Sequence, residues 1–504
     1  MSDEASTDPA RAHAVVIGSG FGGLAAAIRL GKRGFRVTML EQLDAPGGRA
    51  YVFRQDGFAF DAGPTIITAP FLLAELWQMC GRSFADEVDL RSLQPFYRIR
   101  FFDGSVLDCS NDDASMAEQI NRLAPGDLAG YGRFLAASEA IYKVAFERLA
   151  HAPFDSWLDM VRLAPELVRL GSYRSIYSLA ASCVKDSRLR FALSFHPLFV
   201  GGNPFRTTSV YGLIAFLERR WGVHFPIGGT GRIVDGLVGL IRGQGNEVRY
   251  DARVAEISVS RGRASGVRLA SGESIGADIV VSNADSLSTY GDLIPPRLRR
   301  RWTDRKIARA RLSMSLFVWY FGTNRLYQEV PHHTILVGAR YRELLRDIFD
   351  RKVLADDFSL YLHRPTATDP SLAPPGCDAF YVLSPVPHLG GNTDWQSAAE
   401  PYRKSIARHL SDTVLPDLER HIVTSKIMTP LDFRERMSAP FGAAFGLAPE
   451  LTQSAWFRPH NRSEEIQGLY LVGAGTHPGA GIPGVLSSAR VLDTVVPDAA
   501  SFKR

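Results

Sequence analysis

The stretch His13-Ala-Val-Val-Ile-Gly-Ser-Gly-Phe-Gly-Gly-Leu-Ala-Ala-Ala-Ile-Arg-Leu30 decides the fold. The apolar run His13–Ile17 predicts a buried parallel strand, and the Ala-rich run Leu24–Leu30 predicts a helix. Between them the chain fits the pattern G-x-G-x-x-G. In that pattern the first glycine turns the chain, the second lets a pyrophosphate approach the backbone, and the third lets helix and strand pack closely. We therefore expect a dinucleotide site whose binding residues include Gly18, Ser19, Gly20, Gly22 and Gly23.

A second strand and an acidic residue follow at the spacing that this unit requires. The run Arg36–Leu40 predicts the next parallel strand, and Glu41 stands directly after it. An acid about 20 residues beyond the glycines binds the ribose hydroxyls of a dinucleotide. We therefore expect Glu41 to bind ribose. The alternative is a Gly-rich turn between strand and helix, followed by an acid that caps a helix.

The turn Pro46-Gly-Gly-Arg49 narrows the choice of dinucleotide. A nicotinamide-binding domain would usually run directly into another helix at this point. A Gly-Gly-Arg turn instead suits a loop that folds under the diphosphate of FAD, with Arg49 as its countercharge. We expect FAD as the cofactor and include Gly48 and Arg49 among the residues that bind it. An exposed turn is the alternative.

Composition and charge exclude several classes of protein. The 504 residues carry a net charge of +5, from 58 basic and 53 acidic side chains. So mild a charge favours attraction to an anionic surface such as a bilayer over nucleic-acid binding. The four cysteines form no C-x-x-C pair, and we predict no metal site. No stretch reaches about 18 apolar residues, so we expect no membrane span. Met1–Arg11 is polar and unlike a signal peptide, which favours a cytoplasmic protein.

Prolines, glycines and changes in the spacing of apolar residues divide the chain into five segments. We expect an FAD-binding domain built from residues 12–95, 226–290 and 459–495. Residues 96–225 are predicted to be mainly helical, with a possible membrane-associating part, and residues 291–458 to form a substrate domain. In the second FAD-binding segment, three runs predict a three-stranded insert: Val248–Tyr250, Arg253–Ser260 and Ala264–Ala270. Val254 in this insert is predicted to bind the cofactor.

A second glycine-rich motif lies near the end of the chain, where Gly468–Arg490 predicts a strand, a loop and a helix. Its loop reads Gly473-Ala-Gly-Thr-His-Pro-Gly-Ala-Gly-Ile-Pro-Gly484. Too little chain follows for an independent dinucleotide-binding unit, so we expect the strand to re-enter the first sheet. The helix N-terminus would then point at the same ligand, and Gly475 and Gly481 are predicted to bind it.

With these motifs assembled, the chain resembles the bacterial-type phytoene desaturases, carotenoid members of the flavin-dependent amine-oxidase-like superfamily. The resemblance covers roughly residues 12–495. Two segments are most particular to carotenoid desaturases, Phe195-His196 and Trp456-Phe-Arg-Pro-His460. The other segments that carry the resemblance are Gly18–Gly23, Glu41 with Pro46–Arg49, Phe60–Thr65, Pro226–Gly231, Ser282–Asp285 and Leu471–Gly484.

The resemblance implies an α/β fold of the two-dinucleotide-binding-domain flavoproteins. It comprises a Rossmann-type FAD-binding domain, a mixed-sheet substrate domain and a helical region that enters one membrane leaflet. The implied reaction dehydrogenates 15-cis-phytoene through phytofluene, ζ-carotene and neurosporene towards lycopene, with oxygen or a membrane quinone reoxidising FAD. The expected partners are the apolar polyene and a membrane surface to which the protein attaches peripherally, and a homo-oligomer stays open.

Two kinds of alternative stay open beside this reaction. One is a related carotenoid flavoprotein, such as a hydroxyneurosporene-type desaturase, a carotene isomerase or a ketolase. The other is a non-catalytic isoprenoid carrier of the GDP dissociation inhibitor type. A carrier need not keep a whole FAD cradle, so the complete set of glycine motifs argues against it.

Desaturation of a hydrocarbon requires a proton acceptor in apolar surroundings. Loss of a hydride to flavin leaves positive charge on the hydrocarbon, and a base then takes the neighbouring proton. Asp159 and Arg162 lie three residues apart in an amphipathic run and would share one helix face, so they are the predicted catalytic pair. A surface ion pair is the alternative reading of these two residues. His196 and His477 are further candidates for the base.

Overall fold

The computed structural model describes residues 11–502. Most of the segment Met1–Arg11 therefore lies outside the described residues. Along the described chain the strands are β1 His13–Ile17, β2 Arg36–Leu40, β3 Val52–Gln55, β4 Phe58–Asp61, β5 Leu90–Ser92, β6 Tyr97–Arg100, β7 Val106–Cys109, β8 His224–Pro226, β9 Glu247–Arg249, β10 Val254–Ser260, β11 Arg263–Leu269, β12 Ser274–Gly276, β13 Ile279–Ser282, β14 Ser315–Thr323, β15 His333–Leu336, β16 Leu360–His363, β17 Asp378–Val386, β18 Ile422–Met428 and β19 Leu469–Leu471.

Helices occupy the segments between these strands. They are α1 Phe21–Lys32, α2 Phe71–Met79, α3 Phe84–Glu87, α4 Asp113–Leu123, α5 Leu128–Tyr142, α6 Trp157–Arg169, α7 Ile176–Cys183, α8 Ser187–Ser194, α9 Leu213–Trp221, α10 Thr230–Gly243, α11 Ser286–Gly291, α12 Asp304–Ala308, α13 Tyr341–Arg346, α14 Trp395–Thr413, α15 Leu418–His421, α16 Pro430–Met437 and α17 Ile482–Val495.

A five-stranded parallel sheet in the order β19-β13-β1-β2-β9 forms the first layer. Alternate residues of β1 face opposite sides, as the pleat requires. Ala14 and Val16 pack into a core with α1, α10 and α17. Val15 and Ile17 pack into a second core on the other face, against the sheet formed by β10, β11 and β12. The predicted re-entry of the last strand into the first sheet is confirmed, because β19 pairs in parallel with β13.

The predicted three-stranded insert is present, but one of its three strands differs from the prediction. The run at Val248 is not part of it, because β9 pairs in parallel with β2 and becomes the fifth strand of the main sheet. The third strand of the insert is β12 instead, which is antiparallel to β11. A run of three residues carries too little alternation to tell these two partners apart, and tertiary pairing decides.

A seven-stranded mixed sheet in the order β18-β14-β17-β16-β15-β6-β7 forms the second layer. Its pairs are antiparallel except for β15 and β6, which run parallel. One face packs against α14. The other face packs against the hairpin of β3 and β4 and borders the cavity described below. The hairpin of β6 and β7 thus extends a sheet that is otherwise built from later residues.

Helices α4 to α9 form the mainly helical region, which lies between β7 and β8 in sequence. Most of them pack into the core, but α6 has no buried residue. Within residues 11–502, no helix combines the length and apolar character needed to cross a bilayer. The four cysteines are free thiols, and each is half-buried.

Candidate active site

One cavity of about 1460 Å³ connects the carboxyl ends of the parallel strands with the mixed sheet and the helical region. A pocket for one drug-sized ligand usually measures about 300–1,000 Å³, so this cavity has room for two ligands. Its lining is polar and glycine-rich at one end and apolar at the other. We call these the glycine end and the apolar end. The glycine end is lined by Gly18, Gly20–Gly22, Glu41–Leu43, Gly47–Arg49, Asn283–Asp285, Gly473, Ala474, His477, Pro478 and Ala480–Gly484.

The glycines at the first turn are required by space and backbone conformation. Gly18 has a φ of +87°, which side chains disfavour. A Cβ on Gly23 would lie 2.0 Å from the carbonyl oxygen of Gly18, and one on Gly22 would lie 2.6 Å from Oδ1 of Asn283. The strand, the first helix and the loop after β13 therefore approach one another to contact distance, and Gly20 and Gly22 leave backbone facing the cavity.

Two helix N-termini meet at this end. Helix α1 follows Gly20 and helix α17 follows Gly481, and neither cap residue supplies a side-chain hydrogen bond. Neither helix has an acid in its first turn. Unpaired backbone N–H groups and the positive ends of two helix dipoles therefore face one region of the cavity. This arrangement suits a phosphate or another anionic group.

Glu41 lies at the carboxyl end of β2, on the cavity wall and almost fully buried. Its Oε2 accepts hydrogen bonds from the backbone N–H of Ser19 at 2.8 Å and from the Ser19 hydroxyl at 2.6 Å. Its Oε1 accepts one from Leu43 N–H at 2.9 Å. Ser19 itself does not line the cavity, so it contributes by fixing the carboxylate that does.

A buried charged cluster lies beside the glycines. Arg49 is half-buried, its Nε is buried without a hydrogen-bond partner, and desolvation lowers the pKa of its guanidinium. The nearby carboxyl of Asp285 partly offsets that shift, while burial raises the pKa of Asp285. Arg458, from the Trp456–His460 segment, is buried behind the wall with Nε and Nη1 unpaired. An unpaired buried guanidinium is costly, and an anionic ligand would supply its missing partner.

Of the other residues predicted to bind the cofactor, some line the cavity and one lies behind its wall. Gly48, Val254 and Gly481 line the cavity. Gly475 does not, because its missing side chain leaves room for Ser286, whose Oγ would lie 2.5 Å from a Cβ there. Ser286 donates a hydrogen bond to the carbonyl of Gly475 at 3.0 Å. Gly475 therefore shapes the loop from behind the wall.

The apolar end is built mainly from helical residues that pack against the mixed sheet. Phe191, Phe195 and Phe199 line it, and they also stack on neighbouring aromatic rings of the core. These rings therefore belong both to the hydrophobic core and to the cavity wall. Helix α6 covers part of this end with Met160, Leu163 and Leu167.

The apolar end also contains an acid that no sequence motif indicated. Glu218 of α9 is 2% exposed and lines the cavity beside Ile214 and Leu217. The Tyr97 hydroxyl donates a hydrogen bond to its Oε2 at 2.8 Å, and Nε2 of His196 lies 3.3 Å from the same oxygen. An acid four residues after Ile214, on the apolar face of an amphipathic helix, was the available sequence signal.

The four predicted candidates for proton transfer lie in different surroundings. Asp159 and Arg162 share a face of α6, with 3.9 Å between carboxylate and guanidinium, and neither lines the cavity. Their side chains are 37% and 78% exposed, as in a surface ion pair. His196 is buried next to Glu218. His477 lines the cavity and contacts the carbonyl of Leu149 through Nε2, and burial lowers its pKa to about 4.

A parallel sheet whose glycine loops meet a mixed sheet across one cavity defines a class of flavin-binding oxidoreductases. Residues 21–491 match the family described as flavin containing amine oxidoreductase. The sequence is 50% identical over 483 residues to a lycopene-forming phytoene desaturase of Pseudescherichia vulneris, covering 96% of this chain and 98% of that one. It is 48% identical over 492 residues to a neurosporene-forming phytoene desaturase of Rhodobacter capsulatus, covering 96% and 94%.

Solved structures agree on the fold. An oxidoreductase from Methanosarcina mazei superposes with a TM-score of 0.64 at 18% identity, covering 96% of this chain and 100% of that one. A putrescine oxidase superposes with a TM-score of 0.63 at 14% identity, covering 96% and 99%. The chain belongs to the flavin containing amine oxidoreductase family and, within it, to the bacterial phytoene desaturases.

The residues at the glycine end fit FAD, the cofactor of this FAD-dependent oxidoreductase. Gly18, Gly20, Gly22, Gly47 and Gly48 line this end without side chains, so the backbone is open to the close approach of a diphosphate. Two uncapped helix N-termini and the unpaired Nε of Arg49 offer donors for its phosphates. Glu41 offers a carboxylate for its ribose.

Proposed function

We propose that the protein dehydrogenates 15-cis-phytoene stepwise through phytofluene, ζ-carotene and neurosporene towards lycopene. The observation that carries this proposal is the single cavity in which the glycine end continues into an apolar end. A hydrocarbon of about forty carbons has no polar handle, and its burial contributes about 0.8 kcal/mol per CH₂ group. The names of the two relatives support the same reaction.

Bound FAD would supply the acceptor for a hydride from the hydrocarbon. The chain's own task is to hold the polyene in an apolar lining that excludes water. The N–H groups at the start of α17 stabilise negative charge at the glycine end. Positive charge on the hydrocarbon is then relieved by a base.

We propose Glu218 as that base. Among the lining residues, Glu41 is the other buried acid and Asp285 is half-buried, and each of these two belongs to the glycine end. Glu218 alone among the three is set in the apolar wall. Both of its hydrogen bonds reach Oε2, so Oε1 is available to accept a proton. His477 is a weaker candidate, because its lowered pKa makes it a poor proton acceptor.

Asp159 and Arg162 stay a predicted catalytic pair, and their exposed position gives that role no support. Asp159→Asn and Arg162→Ala test it directly, with bound flavin and turnover both measured. Normal flavin content with unchanged turnover would remove the pair from the mechanism. Loss of turnover at normal flavin content would restore it.

We propose in addition that α6 attaches the protein peripherally to a membrane. Its outer side exposes Trp157, Val161 and Val168, which are 59%, 55% and 62% exposed. Arg162 and Arg169 extend beside them. Apolar side chains flanked by basic ones suit the interface of an anionic leaflet. Because the inner side of α6 lines the cavity, an apolar substrate could pass from lipid to the site beneath this helix.

Incubation of the FAD-loaded protein with phytoene in liposomes tests the proposed reaction. We expect products with longer conjugation and red-shifted absorbance, separated by chromatography, and the final product identifies the number of steps. Parallel reactions with oxygen and, anaerobically, with a quinone test the electron acceptor. Recovery of unchanged phytoene from fully flavinated protein would refute the proposal. Products with an unchanged hydrogen count would indicate an isomerase.

A further inference from the structure

Three histidines form a buried cluster that the proposed reaction does not use. The antiparallel pairing of β15 with β16 places His333 directly opposite His363, and His332 immediately precedes β15. The ring centroids are 4.4 to 5.2 Å apart. One nitrogen from each ring can be chosen so that all three lie within 4.8 Å of one another. We call these residues the histidine cluster.

Hydrogen bonds hold the outer nitrogens of two rings. Nδ1 of His332 lies 2.7 Å from the Thr368 hydroxyl, and Nδ1 of His333 lies 2.7 Å from the Tyr361 hydroxyl. On the inner side, Nε2 of His332 lies 3.0 Å from Nε2 of His363. Nε2 of His333 is buried without a hydrogen-bond partner in the described structure, as is Nδ1 of His363. A buried polar nitrogen with no partner is destabilising, so the hydrogen-bonding capacity of the cluster is incompletely satisfied.

We propose that His332, His333 and His363 bind one transition-metal ion of the kind that favours imidazole, copper(I) or zinc(II). Nitrogen ligands about 2.0–2.1 Å from such an ion are roughly 3.3 Å from one another, between the 3.0 Å and 4.8 Å found here. Small ring movements would therefore close the site. The outer contacts of His332 and His333 are of the type that orients histidine ligands from behind.

The protonation state of the cluster suits a metal. All three rings are buried away from water, and the neutral imidazole is the form that binds a metal ion. The neighbouring guanidinium of Arg364 is paired with Asp378 at 3.0 Å, so that pair adds no net charge. Three neutral ligands in a buried site favour an ion of low charge, which makes copper(I) the first arm to test.

The site stands behind the cavity wall. The Tyr361 hydroxyl that contacts His333 also contacts the Thr65 hydroxyl at 2.9 Å, and both of these residues line the cavity. An ion in the cluster would therefore stiffen this wall, and we assign it a structural role. The sequence analysis predicted no metal, because two adjacent histidines and a third thirty residues later match no spacing motif. Strand register alone brings them together.

Metal content of the FAD-loaded protein, prepared without a polyhistidine tag, tests the proposal. The protein is incubated with zinc(II) or, anaerobically with a reductant, with copper(I), then desalted and analysed by mass spectrometry. We expect about one ion per chain in one arm, and a rise in Tm on loading. His333→Gln and His363→Gln should lower bound metal by roughly tenfold or more and abolish the rise. His409→Gln, which changes a half-buried histidine of α14 outside the cluster, should keep both.

Failure of the wild type to retain stoichiometric ion in both arms would overturn the proposal. So would cluster variants that retain as much ion as His409→Gln. If the cluster variants do not fold, X-ray absorption of the loaded wild type decides. A shell of about three histidine nitrogens supports the site, and any other ligand set refutes it.

Discussion

The two ends of the cavity are built in opposite ways. At the glycine end the wall is backbone, set by close approach: a Cβ on Gly22 would lie 2.6 Å from Asn283, and one on Gly23 would lie 2.0 Å from Gly18. At the apolar end the wall is side chains from distant segments, and part of it is α6, which has no buried residue. Substitution of these glycines at the first end would cause steric clashes, whereas single side chains of the second end can be replaced without moving the backbone.

This difference matches the proposed positions of the cofactor at the glycine end and of the substrate at the apolar end. An invariant group such as a diphosphate requires fixed donors at fixed distances, which backbone and helix N-termini supply. A hydrocarbon requires only apolar volume of the right shape, which many combinations of side chains supply. Substitutions at the glycine end should therefore act on folding and flavin, and those at the apolar end on turnover and membrane binding.

The largest effect is expected from Gly23→Ala. The added Cβ would meet the Gly18 carbonyl at 2.0 Å, backbone against backbone, so neither side can yield cheaply. We expect a loss of about 3 kcal/mol or more in the free energy of unfolding and no retained FAD. Gly239→Ala in α10 is the matched control, because its nearest neighbour would lie 3.9 Å away. Equal flavin content in the two variants would contradict the backbone origin of the glycine end.

Glu218→Gln should give the largest effect at the apolar end. The amide preserves shape and can still accept the hydrogen bond from Tyr97, but it cannot take up a proton. We expect turnover of phytoene to fall by roughly 10²–10⁴-fold with flavin content and Tm unchanged. Tyr97→Phe, which keeps the carboxylate and removes one of its donors, should cost less and shift the pH profile. Unchanged turnover in Glu218→Gln would exclude this residue as the base.

The same contrast explains what the sequence could predict. The glycine end depends on local motifs, so the strand before Gly18, the helix after it and the acid at Glu41 could all be identified from spacing. The re-entry of β19 followed from the chain length left after it. For Glu218 the sequence offered only an acid on the apolar face of a helix, and for the histidine cluster it offered no signal. The partners that define these two sites, such as Tyr97, come together only through tertiary packing and strand register. Short runs such as β9 were misassigned for the same reason.

Asp61, a buried acid at the end of β4, should make the stability of the fold depend on pH. Its carboxylate accepts hydrogen bonds from Thr230 N–H at the start of α10, yet burial raises its pKa from 3.8 to about 6. Between those values the folded protein holds the proton and the unfolded chain does not, so stability falls as the pH rises from about 4 to about 6. Asp61→Asn cannot ionise. In urea unfolding, the free energy of unfolding of Asp61→Asn should therefore increase by roughly 2 kcal/mol relative to that of the wild type as the pH rises across that range. Parallel curves for the two proteins would contradict the assignment.

The smallest effect is expected from the outer side of α6. Trp157 is 59% exposed and packs on little of the protein, so Trp157→Ser should leave Tm and flavin content unchanged. If α6 lies in an anionic leaflet, the lost apolar area should weaken liposome binding by roughly tenfold in a sedimentation assay. Turnover should fall on phytoene in liposomes and persist on phytoene in detergent. Phe102→Ser is the matched control, since Phe102 is 67% exposed in the turn between β6 and β7. Equal loss of liposome binding in both variants would assign the attachment to general surface hydrophobicity. The apolar end of the cavity would then have no special relation to the membrane.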